Sequence, residues 1–466
     1  MGLRRHALPA GLGAVALVAG ALALRAPASH GSTRPPAALA APVLSPRRAP
    51  ETLSRVVGDL RLRRDLDAAL ADPQLGAARS ANCLVVDDGG RRLYERTPDA
   101  SLLPASNLKL LTGAAILDRL GPGTRLRTEV RGARPAGGNV DGPLWLVGGG
   151  DPLLGTADFA ASFERQPRQF TSLEALADRV VKAGVRHVSG GIVGDETRYD
   201  RERYVPTWIP SYVSDSEIGP ASALTVNDNF VAWHPRHIAA AAPATAAAAL
   251  FTALLRERGV DVDGSAAEGA APPASARLAT IDSATVGELV GEMLRESDNQ
   301  TAEMLVKELD RRRGGRGSTV NGMAVVRSDL ASMDLPLAGL ATVDGSGLDR
   351  SDRATCRLLL SVLEHAPERA WLTRGLPVAA HDGTLARHFH GSVAAGRLRA
   401  KTGSLKGVAG LTGLAATVRG GTLAFSLLVN GLPHDELGVY LYEKVGGILV
   451  RYPDVPKPAQ LAVPGT

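Results

Sequence analysis

The chain has 466 residues, 44% of them hydrophobic and 22% charged, long enough for two or three globular domains with cores of their own. A formal charge of +5 is only mildly basic, and arginines are not interleaved with aromatic residues, so nucleic acid is excluded as a partner. There is no Cys-x-x-Cys and no His-Glu-x-x-His, which argues against a metal site even though His381, His388 and His390 crowd together, and no cofactor is expected.

In chain order, Arg4 and Arg5 precede an apolar stretch over residues 10 to 24, followed by Ala26-Pro27-Ala28. This pattern predicts an export signal over residues 1–28, and hence work outside the cytoplasmic membrane, in the cell wall or secreted. The apolar stretch is short for a membrane span, so an uncleaved anchor is the alternative, and any membrane association runs through this segment alone. Residues 29–50, rich in Pro, Ala and Arg, predict a disordered tether. Helical spacing follows over 51 to 72, then two short strands around a glycine turn over 82 to 94, a hairpin signature. Residues 106 to 120 predict a helix stopped by Gly121-Pro122-Gly123.

From 125 to 275 the character changes to short strands, Gly-rich turns and a few helices, predicting an inserted region. Leu144 to Pro152 lacks both phosphate-loop spacings and reads as a strand ending in a tight turn. Helices are expected over 172 to 184 and from the alanine-rich run near 239 to about 259, a strand over 187 to 195, and a small-residue return linker over 264 to 276. A helix from about 285 breaks at Arg295-Glu296-Ser297-Asp298-Asn299 and resumes from 301 to about 312. Strands over 397 to 404, 408 to 418 and 422 to 430 form consecutive hairpins, which imply an antiparallel sheet that the early hairpin can extend. A helix over 437 to 450 closes the fold, and 453–466 reads as a disordered tail. The even count of cysteines permits one disulfide, but Cys83 lies in an expected strand and Cys356 in an expected helix and nothing in the sequence brings them together, so two separate buried thiols are the favoured expectation and a bridge the alternative.

Three short motifs carry chemistry. Ser106 and Lys109 stand one helical turn apart, on one face, as an activated nucleophile requires. Only 7 of the 53 basic residues are lysine; even so, about 0.4 Ser-x-x-Lys matches arise by chance. Ser297-Asp298-Asn299 and Lys401-Thr402-Gly403 follow in order, and the ordered triplet marks serine β-lactamases and penicillin-binding proteins. For Lys109 to take a proton from Ser106, its pKa must fall from about 10.4 toward neutrality, against about 4 kcal/mol; Lys401 is the expected perturber. Ser297 can relay a proton to the leaving nitrogen, and Asn299 can hold Lys109 and the substrate backbone. Gly403 leaves room for an extended substrate, while the Thr402 and Ser404 hydroxyls can bind a terminal carboxylate. The backbone N–H groups of Ser106 and Ser404 are the expected oxyanion hole, each worth about 3 kcal/mol.

Together with Gly150-Asp151-Pro152, Asp344-Gly345-Ser346-Gly347-Leu348 and Asp382-Gly383-Thr384-Leu385, these motifs make the chain resemble the class C low-molecular-mass penicillin-binding proteins, the D-alanyl-D-alanine carboxypeptidase/endopeptidase family. The resemblance spans about 51 to 450. It implies an α/β (mixed α+β) transpeptidase-like domain, built from 51–124 and 276–452 around a five-stranded antiparallel sheet flanked by helices, with the inserted domain or domains at 125–275. It also implies a serine acyl-enzyme that trims peptidoglycan stem peptides ending in D-Ala-D-Ala and is acylated by β-lactams. Ser297 follows Ser106 by 191 positions, far more than in a class A β-lactamase and fewer than in the family's largest members. Ser404 replaces the family's usual Thr, His381 stands where a small or apolar residue is expected, and Arg350 matches an arginine near the pocket for the stem peptide's acidic side chain. The alternatives are a β-lactamase or esterase of the same fold, and a wall-binding pseudoenzyme.

Overall fold

The computed structural model describes residues 49–455. The expected export signal, most of the tether and most of the tail lie outside the described residues. The first helix starts at Ala49, two residues inside the expected tether.

In chain order the principal elements are α1 (Ala49–Leu70), β1 (Asn82–Asp88), β2 (Arg91–Arg96), α2 (Leu108–Leu120), β3 (Arg125–Gly132), β4 (Leu144–Val147), α3 (Leu173–Lys182) and β5 (Ile192–Asp195). Then follow α4 (Pro243–Glu257), β6 (Ala267–Glu268), β7 (Ala276–Thr285), α5 (Val286–Glu296), α6 (Asn299–Arg312) and α7 (Thr319–Ser332). The chain ends with α8 (Cys356–His365), α9 (Arg369–Gly375), β8 (Leu398–Leu405), β9 (Val408–Ala416), β10 (Thr422–Asn430) and α10 (Glu436–Arg451).

The first sheet has the order β8-β9-β10-β1-β2 and is antiparallel throughout. Its strands come from both ends of the chain. β1 is apolar on both faces because both are covered: Cys83 and Val85 join a core with α2, α5, α6 and α8, whereas Leu84 and Val86 join another with α1 and α10. Cys83 and Cys356 form a disulfide, S–S 2.03 Å with Cα atoms 5.9 Å apart, joining β1 to the first residue of α8. The expectation of two separate thiols was wrong, because a contact across 273 residues is made by tertiary packing and leaves no local trace.

A second sheet, β6-β5-β4-β3-β7, forms the insertion, with α3 and α4 packed on it. The strand that leaves the first lobe and the one that returns lie side by side: β3 pairs antiparallel with β7, Thr128 opposite Ile281. The strand expected over 187 to 195 is two strands in different sheets, His187–Val188 and β5. Between them a Cβ on Gly191 would stand 2.0 Å from the Ser265 carbonyl oxygen, so the chain turns where its backbone touches another. The return linker contains β6. At its end Thr285 and Glu288 form a reciprocal capping box that starts α5.

Candidate active site

A buried turn precedes α2. Ala105 has φ +48°, rare for a residue with a side chain, and Ala105–Asn107 form a single 3-10 turn that runs straight into the helix. Two glycines let the turn sit where it does. A Cβ on Gly347 would lie 2.0 Å from the Ala105 carbonyl oxygen, and one on Gly403 would lie 2.5 Å from the side-chain amide of Asn107 and 2.7 Å from the Pro104 carbonyl oxygen. The space that Gly403 leaves is therefore filled by the nucleophile turn, and the expectation that it makes room for substrate is corrected. Asn107 is fully buried, with its amide nitrogen donating to the Lys401 carbonyl (3.1 Å) and Thr412 Oγ1 (3.0 Å), and its oxygen accepting from Gly403 N–H (3.3 Å). It fastens the turn to β8 and β9.

Lys109 is wholly buried, and its Nζ donates to Ser106 Oγ (3.0 Å), Asn299 Oδ1 (2.6 Å) and the Ser346 carbonyl (2.7 Å). Burial is the largest influence on it and draws its pKa down to about 8, against the opposing pull of Asp344, Glu303, Asp298 and Glu217. Lys401, expected to be the perturber, is instead itself driven well below the ordinary lysine value, first by burial and then by Lys109. The three acceptors match the three N–H bonds of an ammonium. Asn299 Nδ2 donates to the Glu217 carbonyl (2.8 Å), so the amide must present its oxygen to Lys109. That oxygen and the Ser346 carbonyl can only accept. When Lys109 is neutral, its one lone pair therefore has Ser106 O–H as its partner.

Between α5 and α6, Ser297 adopts a left-handed conformation (φ +60°), and Asp298 caps α6 by accepting from Thr301 N–H (2.9 Å). The insertion reaches under this turn. Arg168, 9% exposed, donates to Glu292 (2.6 Å) and Asp298 (3.1 Å), and Arg165 pairs with Glu292 and Glu296. Lys401 Nζ donates to Ser297 Oγ (2.9 Å) and to the Thr402 carbonyl (2.8 Å).

Lys401, Thr402, Gly403 and Ser404 lie on β8, the outer strand of its sheet, so one side of its backbone has no strand partner there. Tyr442 of α10 pins the inner side: its hydroxyl donates to the Gly403 carbonyl (2.7 Å) and accepts from Gly410 N–H (2.9 Å). A cleft of about 640 Å³ runs along this strand, with Ser106, Ser297, Asn299, Thr402, Ser404 and Arg350 on its walls. Thr402 Oγ1 donates to Thr384 Oγ1 (2.8 Å), and exposed Arg350 reaches the Lys406 carbonyl (3.3 Å). His388 also lines the cleft. His381 does not, and its Nδ1 is bonded to the Ala379 carbonyl (2.8 Å). Among the described residues no group of three or more His, Cys, Asp or Glu is placed to hold a metal. Arg168, Glu217 and Tyr442 escape sequence reasoning, since none stands in a recognisable motif, and Asn107 fills one of the unspecified positions of Ser106-x-x-Lys109.

A five-stranded antiparallel sheet between helical layers, with serine, lysine and asparagine meeting at a cleft beside its outer strand, defines the class of penicillin-binding, transpeptidase-like serine hydrolases. The chain belongs to the D-Ala-D-Ala carboxypeptidase 3 (S13) family, whose pattern matches residues 62–235 and 232–439. It is 31% identical to a D-alanyl-D-alanine carboxypeptidase of Actinomadura sp., an alignment covering 83% of this chain and 85% of that one. A carboxypeptidase of Mycobacterium tuberculosis is also 31% identical, covering 78% of each. Among solved structures, penicillin binding protein 4 from Haemophilus influenzae shares the fold with a TM-score of 0.68 at 21% identity, covering 82% of this chain and 99% of that one.

Proposed function

We propose that this serine-type D-Ala-D-Ala carboxypeptidase acts outside the cytoplasmic membrane on peptidoglycan stem peptides, through an acyl-enzyme on Ser106, and that β-lactams acylate the same oxygen. The observation that carries the reading is the position of Lys109 Nζ, 3.0 Å from Ser106 Oγ with its other two contacts taken by pure acceptors. Neutral Lys109 removes the Ser106 proton as Oγ attacks the carbonyl carbon of the penultimate D-Ala. The N–H groups of Ser106 and Ser404 receive the negative charge that develops on the carbonyl oxygen, each worth about 3 kcal/mol. Ser297 gives its proton to the leaving nitrogen and takes one from Lys401 Nζ, 2.9 Å away; water then hydrolyses the ester, its proton returning through Ser297 to Lys401 while Lys109 gives the first proton back to Ser106. Lys401, Thr402 and Ser404 receive the terminal carboxylate, whose charge offsets the cost of a buried cation at Lys401.

Arg350 in the cleft wall supports a stem peptide carrying an acidic side chain. Cleavage of cross-linked peptides, an endopeptidase activity, uses the same chemistry with a larger leaving group. The Cys83–Cys356 bridge supports export, because such bonds persist in oxidising compartments. No helix among the described residues is long and apolar enough to cross a membrane. The test is release of D-alanine from a pentapeptide. The reading requires activity in the wild-type protein and its loss in Ser106→Ala; a Ser106→Ala protein that still released D-alanine would remove Ser106 from its role.

A further inference from the structure

Behind Lys109 lies a buried carboxyl group that the proposed reaction does not use. Glu303 stands on α6 one turn beyond Asn299 and is 2% exposed. Its Oε1 accepts the N–H groups of both Gly345 (2.9 Å) and Ser346 (2.8 Å). The same two residues present their carbonyls to α2: Ser346 to Lys109 Nζ (2.7 Å) and Gly345 to Thr112 Oγ1 (2.9 Å). One carboxylate thus holds the short segment whose carbonyl holds the lysine. A Cβ on Gly345 would lie 2.5 Å from Val306 Cγ2, so the segment is packed directly against α6.

The charged groups around Glu303 are few. Asp344, on the same loop, accepts from Trp208 Nε1 (2.7 Å) and from the N–H groups of Gly347 (2.6 Å) and Asp349 (2.7 Å). Asp352 accepts from Val343 N–H (2.7 Å) and acts on Asp344. Lys307, one turn further along α6, is turned away to Asp200 (2.5 Å). Glu303 and Asp344 therefore share one ammonium, with Asp352 crowding Asp344 from behind, and full ionisation of the three would leave two negative charges uncompensated in a dry space. Burial, then Asp344, pushes Glu303 up to about 8 and Asp352 up to about 10.

We propose that Glu303 is a positioning residue for the general base: its carboxyl group fixes the Ser346 carbonyl against Lys109, and through this chain of hydrogen bonds the ionisation of Glu303 is coupled to that of Lys109. The inference rests on the reading of Lys109 as the base. A negative Glu303 favours the ammonium, so removing that charge makes Lys109 neutral at lower pH.

The experiment is the rate of acylation by a fluorescent penicillin across pH, for the wild-type protein, Glu303→Gln and Glu303→Asp. Glutamine keeps an oxygen for the two N–H groups and loses the charge; the acid limb of its profile should move down by about one pH unit. Aspartate keeps the charge on a shorter arm; its limb should stay near the wild-type position while the plateau falls roughly ten- to a hundredfold. An unmoved limb in Glu303→Gln overturns the proposal. Should that variant not fold, the Lys109 Cε resonance in carbon-13-labelled wild-type protein gives the answer: two inflections report a coupled pair and support the proposal, while a single one overturns it. Absence of any Ser106-dependent labelling in the wild-type protein would instead remove the reading of the site itself.

Discussion

The Asn299 side chain donates to the carbonyl of Glu217 (2.8 Å) and turns its oxygen to Lys109 Nζ (2.6 Å). Glu217 belongs to the insertion and Asn299 to the first lobe, so the insertion orients a group inside the acyl-transfer site. Replacing Asn299 by Asp puts a second acceptor against the Glu217 carbonyl and a negative charge against Lys109. We expect the acid limb of penicillin acylation to rise by about one to three pH units. An unshifted limb, read by gel fluorescence of labelled protein, would disconnect Asn299 from the base.

Lys109 itself sets a pH dependence whose sign follows from burial. Its folded pKa of about 8 lies below the ordinary lysine value, so the neutral base is scarce at pH 6 and predominant at pH 9. Acylation should climb about tenfold per pH unit below 8 and level off above it. Stopped-flow acylation with a chromogenic β-lactam measures this directly, and a flat profile between pH 6 and 8 would mean that another group takes the proton.

Arg168 makes a separable prediction about stability. It faces Glu292, 1% exposed, together with Asp298, and Arg168→Met would leave the Asp298 carboxylate without its cation. Breaking a buried pair of this kind costs about 3 kcal/mol. A lower Tm should accompany slower acylation, because the turn bearing Ser297 loses its support.

Arg350 should act on binding and leave the chemistry alone. Arg350→Gln is expected to raise KM about tenfold for a stem peptide with an acidic side chain while leaving kcat within about twofold. An equal loss for a peptide lacking that acid would show that Arg350 serves the wall of the cleft instead.

The Cys83–Cys356 bridge closes a loop of 273 residues, which in the chain-entropy treatment is worth about 6 kcal/mol. Cys83→Ser combined with Cys356→Ser should lower Tm by several degrees at unchanged pH, measured by thermal unfolding, with labelling of Ser106 retained at low temperature.

Much of the architecture was legible because it is local. The turn at Gly89 and Gly90 announces the first hairpin, Thr285 and Glu288 announce α5, and the break at Ser297-Asp298-Asn299 falls where α5 ends and α6 begins. The residues that shape the site's electrostatics were not legible, because their partners are distant in sequence. Glu303 meets Gly345 and Ser346 across more than 40 positions, Arg168 meets Glu292 across 124, and Asn299 meets the Glu217 carbonyl across 82. Lys401 was given the wrong part for a related reason. The ordered motifs imply that two lysines share a site, but only the fold shows that burial is what lowers Lys109.

The disulfide divides the chain into a ring and two arms. Ser106, Lys109, Ser297 and Asn299 lie within the ring, together with the whole insertion, whereas Lys401, Thr402 and Ser404 lie on the C-terminal arm. A single proteolytic nick anywhere in the insertion would open the ring without separating the halves, so the nicked protein would migrate as one species until reduced. A cut between Cys356 and Lys401 would leave the strand that bears the carboxylate-binding hydroxyls held only by β-pairing and side-chain contacts. Limited proteolysis compared on reducing and non-reducing gels would thus tell which side of the cleft has been severed.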